Sequence, residues 1–206
     1  MIGVELSSIP VPKLAQVEIG GVVVDVLNVP FIQQPPQMLC FPYSVSMVIE
    51  FFRQTETGVN IPSLTLGDLI RALNTDPERG TVLSKTTIKK LNEVTYPIEF
   101  AIYHGNLGKL DECFEKRIPP ILIFNSMYYI YSMEGPAHAT VYVGRTETKI
   151  ITNNPWMGKS YPYDLERFLE AWEVEGNKMV IARLRKEKRI EDARLNKYVD
   201  LFGGEE

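Results

Sequence analysis

Cysteine, histidine and tryptophan are scarce: the 206 residues hold two of each. Two cysteines cannot build a disulfide framework. The cysteines and histidines at 40, 104, 113 and 138 also lack the spacing of a metal site, so neither a metal nor another cofactor is expected. Positive charge is short as well. Lys and Arg number 22 against 26 Asp and Glu, for a net charge of −4, and the basic footprint of a nucleic-acid binder is missing. Apart from the tyrosine-rich MYYIY at 127–131, wholly apolar runs reach only four residues, as in ILIF at 121–124, far short of a membrane span. The opening MIGVELSSIPVPKL has no basic stretch followed by a long apolar one, so no secretory signal is read there. These absences point to a protein of the cytoplasm.

What is present fits an ordinary globular chain: 45% hydrophobic and 23% charged residues, long enough for one real core. The expected domain covers residues 1–185, with 186–206 as a charged helical tail. GGVVVDVLNVP (20–30) reads as a strand. From about Phe41 to Arg53, Val45, Val48, Ile49 and Phe52 recur at helical spacing, with Met47 and Phe51 adding a second apolar side, so a central, mostly buried helix is expected. Segments 64–73, 85–94, 106–117 and 164–175 read as further helices, with Ser63 or Thr65, Ser84 and Asp164 as caps. Segments 97–104, 119–125, 138–144, 149–154 and 177–185 read as strands. Helices first and mostly antiparallel strands after them predict an α+β fold.

Cys40 falls at the start of the central helix, in QQPPQMLCFPYS (33–44). Pro42 supports that boundary, since a first turn tolerates a residue without N–H. The partial positive charge and free N–H groups of a helix start favour a thiolate, and the Cys40 N–H is placed to serve as half of an oxyanion hole. On this stretch alone, a small buried core cysteine is the commoner outcome.

A nucleophile needs a base, and the base needs an orienter. His104 sits in a turn with no visible partner. His138 opens a strand, and the next strand ends in Asn153-Asn154-Pro155. A hairpin turning at Arg145–Glu147 sets Gly144 opposite Thr148, Tyr142 opposite Ile150 and His138 opposite Asn154. An amide oxygen there can accept from the imidazole. A one-residue change in the loop would bring Asn153 instead. Asn154 is preferred because it precedes Pro155 at the strand end. The aromatic run MYYIYS (127–132), through Tyr128, and Trp156 are candidates to line a substrate groove.

LNVPFIQQPPQMLCFPYSVSMVIEFF, followed about a hundred residues later by GPAHATVYVG, IITNNPWMG and LERFLEAWE, resembles the papain-like cysteine peptidases of the bacteriocin-leader, or double-glycine, processing group. The resemblance spans about residues 26–175. It implies a papain-like fold with a central helix headed by Cys40 as nucleophile, His138 as base, Asn154 as orienter and Gln34, six residues before the cysteine, completing the oxyanion hole. Trp172 and its helix resemble the closing segment. The implied reaction is amide hydrolysis through an acyl-enzyme on a peptide or protein substrate. The same fold without catalysis, as a binding module, and acyl transfer to an amine are the competing expectations. This sequence departs from the family's pattern in three ways. Leu39-Cys40-Phe41 replaces Asp-Cys-Gly, so a bulky Phe41 is expected to narrow the approach to the nucleophile. Asn154 stands where the leader peptidases usually carry aspartate. No Walker-type glycine loop follows, so a stand-alone peptidase without the transporter fusion is expected.

Overall fold

The computed structural model describes residues 12–56 and 58–185; the expected tail at 186–206 lies outside them. The chain opens with β1 (Leu14–Ile19) and β2 (Val22–Leu27), paired antiparallel around Gly20-Gly21. Both glycines have positive φ, 59° and 82°, the conformation that a tight hairpin turn demands. The single strand expected at 20–30 is thus one arm of a hairpin, and LAQVEI is its partner.

Three helices follow: α1 (Cys40–Thr55), α2 (Leu66–Leu73) and α3 (Lys85–Thr95). The expected caps are in place. Thr65 and Asp68 form a reciprocal capping box on α2, and the Ser84 side chain accepts from the Thr87 N–H on α3. Then come β3 (Ile98–His104), α4 (Leu107–Glu115), β4 (Ile121–Asn125), α5 (Ser126–Tyr131), β5 (Ala137–Arg145), β6 (Lys149–Asn154), β7 (Gly158–Asp164), α6 (Leu165–Val174) and β8 (Lys178–Leu184). The run MYYIYS therefore coils into a short helix, capped by the Asn125 side chain.

Six of the strands form one sheet in the order β3-β8-β4-β5-β6-β7, with every neighbouring pair antiparallel. Its side chains alternate between two apolar cores, as a pleated strand requires. Ile121, Ile123, Val141, Val143 and Val180 face the helices α1–α3. Leu122, Phe124, Tyr142 and Met179 face α4 and α6. The expected packing of N-terminal helices on an antiparallel sheet is present, with a second helical layer on the other face.

Helix α1 buries Val45, Met47, Val48, Ile49, Phe51 and Phe52. Each such side chain contributes about 1.5–3 kcal/mol, so the head of this helix is held on a rigid element.

The β5–β6 register differs from expectation. The loop is Thr146–Thr148, closed by the Thr146 N–H to the Lys149 carbonyl at 2.9 Å. Gly144 faces Ile151 rather than Thr148, a shift of three. Beyond a bulge between Tyr142 and Gly144, Tyr142 faces Thr152 rather than Ile150, a shift of two. The odd shift alone would turn Asn154 away from the face of His138. The bulge takes one residue back and restores it. Gly144 is needed there because β2 passes close by: a Cβ would lie 3.2 Å from the Asp25 carbonyl oxygen and 3.3 Å from Val26 Cγ1.

Candidate active site

Cys40 is the first residue of α1. Leu39 precedes it and offers no side-chain cap. Pro42 has no N–H, and the Tyr43 N–H is taken by the Leu39 carbonyl at 3.2 Å. The free donors of the first turn are therefore those of Cys40 and Phe41. The backbone N–H groups of both, and of Ala139, act on the thiol in favour of the thiolate. Ala139 follows His138, so this contact places the start of β5 against the head of α1.

The His138 Nε2 meets Asn154 Oδ1 at 3.0 Å. Because Asn154 is not directly opposite, its side chain reaches the imidazole diagonally across the hairpin. The same Oδ1 accepts from the N–H groups of Trp156 at 2.8 Å and Met157 at 3.0 Å. Asn154 Nδ2 donates to the hydroxyl of Tyr163. The Phe124 ring stands edge-on to the imidazole, centroids 5.6 Å apart. The neighbouring Asn153 points to the other face and ties Val29 to Ser160 through its own amide.

Gln34 is buried, and its Nε2 donates to the Gln37 carbonyl at 2.6 Å. An amide nitrogen carries two hydrogens, so one donor is left. The segment is pinned to the far side of the site: the Gln34 N–H bonds the Pro155 carbonyl at 2.9 Å, and Gln33 Nε2 bonds the Trp156 carbonyl at 2.9 Å.

Gln34, Cys40, His138, Asn154 and Trp156 all line one cavity of about 760 Å³, together with Phe124, Tyr129, Ile130, Tyr161 and Tyr163. The sequence matches no family model and no curated protein. Two solved structures are similar. A Bacillus anthracis protein provisionally designated a C39-like peptidase matches with a TM-score of 0.57 at 15% identity, over 78% of this chain and 96% of its own. A double-glycine motif protease from an AMS/PCAT transporter, in complex with its leader peptide, matches with a TM-score of 0.54 at 16% identity, over 77% and 93%. The fold is that of the C39-like peptidases.

On this C39-like fold, two of the expected substrate contacts are displaced. Phe41 is 4% exposed and packs into the core beneath α1; helical geometry turns it inward, so it does not narrow the approach to Cys40. Tyr128 is half-buried against the α6-side core, and its helix neighbours Tyr129 and Ile130 face the cavity instead. Trp156 is half-exposed at the mouth, as a groove residue would be. Among the described residues, no three or more His, Cys, Asp or Glu side chains gather as a metal site would need, and no helix is long and apolar enough to cross a membrane.

Sequence reasoning missed Tyr163. Its signal was faint: a tyrosine in SYPYD, alternating with Tyr161 on a strand that Pro162 obscured. Burial pushes the Tyr163 phenol above its ordinary range, against the hydrogen bond from Asn154, so it is neutral. Burial also pushes the Cys40 thiol up, against the pull of the three backbone N–H groups. It pushes His138 down, against the Asn154 hydrogen bond that favours the charged ring. The thiolate expected from the helix start is thus offset by desolvation, and the free site favours a neutral thiol and a neutral imidazole.

Proposed function

We propose that this protein is a cysteine peptidase that hydrolyses peptide amide bonds through an acyl-enzyme on Cys40. The observation that carries the reading is the bond from His138 Nε2 to Asn154 Oδ1, set beside a helix-head cysteine on one cavity. Two backbone N–H groups hold Oδ1, so the imidazole must donate to it and Nδ1 is the basic nitrogen. As the carbonyl enters, Nδ1 takes the Cys40 proton and the sulfur attacks. With neutral partners at rest, His138 acts as a general base during attack rather than as half of a standing ion pair.

The Cys40 N–H and the remaining amide N–H of Gln34 hold the oxyanion. His138 protonates the leaving amine. It then activates a water that releases the acyl group and regenerates the thiol. The leader peptide in the similar transporter protease makes a peptide the first substrate class to try.

The test is cleavage of a panel of leader-type peptides, followed by mass spectrometry. Wild type is expected to cleave, whereas Cys40→Ala and His138→Ala are not. Equal cleavage by either variant overturns the assignment.

A further inference from the structure

Asn154 is 1% exposed, and both ends of its amide are engaged. The N–H groups of Trp156 and Met157 can only donate, so they fix which end is oxygen. The NH₂ end then meets the Tyr163 hydroxyl. Tyr163 is 5% exposed. Its ring is wedged among Phe124, Tyr129, Tyr161 and Phe168, with centroids 4.9–5.3 Å away. Phe124, which supports the Tyr163 ring, also stands edge-on to His138. Phenol, amide and imidazole form one chain, and a single phenyl ring braces both of its ends.

We propose that Tyr163 is a positioning residue for His138: by accepting from Asn154 Nδ2 it holds the amide against the ring and keeps the imidazole in its Nε2–H tautomer, with Nδ1 free. Without the hydroxyl, a buried NH₂ donor loses its acceptor. The amide is then anchored only through the Trp156 and Met157 N–H groups at its oxygen end, so Oδ1 loosens against the ring. The inference rests on His138 being the base of the proposed reaction. The tautomer itself exists whether or not any peptide is cut. A phenol can also donate, so an aspartate at 154 would keep the link in reverse.

The test uses the full chain with ¹⁵N-labelled histidine. NMR is expected to show His138 as the Nε2–H tautomer in wild type and as a mixture in Tyr163→Phe. The rate of Cys40 alkylation by iodoacetamide, followed against pH, should lose its His138 inflection or shift it. In peptide cleavage kcat should fall about 10–100-fold with KM unchanged. Tyr142→Phe, which removes another hydroxyl from the same apolar core at a residue that does not line the cavity, should leave all three readouts as in wild type. Asn154→Asp should keep a Tyr163-dependent tautomer.

A wild-type tautomer and alkylation profile in Tyr163→Phe would overturn the inference. So would an Nδ1–H ring in the unaltered protein, a measurement that needs no variant to fold. If no peptide is cut but the tautomer still depends on Tyr163, the positioning role stands and the peptidase reading falls. If peptides are cut and the tautomer ignores Tyr163, the reverse holds.

Discussion

The molecule contains two cysteine-and-histidine regions, and they differ in everything but composition. At one, Cys40 heads a buried helix, His138 faces a carboxamide, and both open onto a large cavity. At the other, Cys113 is buried in the apolar core under α4, with its thiol pushed up by burial, and His104 lies exposed with Nδ1 2.6 Å from the Gly176 carbonyl. Both cysteines are free. The comparison teaches that residue type carries little of the chemistry. What sets the first pair apart is placement: free helix-start donors, a carboxamide whose oxygen is fixed on the imidazole, and an open cavity.

The widest expected contrast between the regions is in turnover. His138→Ala should lower peptide cleavage by about 10²–10⁴-fold, and His104→Ala should leave it within a factor of two or so. A large loss from His104→Ala in steady-state assays would break the comparison.

Deleting Thr152 from β6, with the bulge kept, sets Asn153 opposite Tyr142 and so puts Asn153, rather than Asn154, on the face of His138. Activity should drop roughly 10²-fold, as for a misplaced orienter, and the imidazole tautomer should change with it. Retained activity would mean that the strands re-pair around the gap.

Stability against pH sharpens the same contrast. His138 is held below its ordinary 6.5, so its native environment favours folding above that pH and loses this contribution as pH falls toward the folded value. Cys40 is held above its ordinary 9.0, so its contribution is present below that pH and is lost as pH rises. Thermal melts should show a plateau between about 6.5 and 9.0. His138→Ala should flatten the acid limb and Cys40→Ala the alkaline one. Cys113→Ala should leave activity intact and cost about 1 kcal/mol by denaturant titration, from lost core packing.

Smallest is the Arg145–Asp111 pair, bidentate at 2.6 and 2.8 Å but part-exposed. Asp111→Asn should cost about 0.2–1 kcal/mol, and less in high salt.

Much of this was legible in the sequence for a physical reason. Helix α1 announced itself because its apolar spacing answers to one dominant core, and Ser84, Thr65 and Asp164 announced caps because few residue types satisfy free N–H groups. The pairing of His138 with Asn154 was anticipated by a register that is not the real one. An odd shift at the loop and one bulged residue compensate, and no local signal marks a bulge. Phe41 was misplaced because sequence spacing does not show which way a first-turn side chain swings. Tyr163 stayed hidden because its partner lies four strand positions beyond its register neighbour Ile150, across a hairpin whose Pro162 and Ser160 look like loop.

Asn154 enters a turn at Pro155, whose carbonyl accepts from Gln34. Proline has no backbone N–H, so its nitrogen cannot close a ring onto the Asn154 side chain. That closure is the usual route by which asparagine ages to aspartate. The Asn154 amide is therefore chemically durable. The protein keeps the same uncharged partner on its imidazole throughout its lifetime, and the site does not drift slowly toward the carboxylate that would alter its pH response.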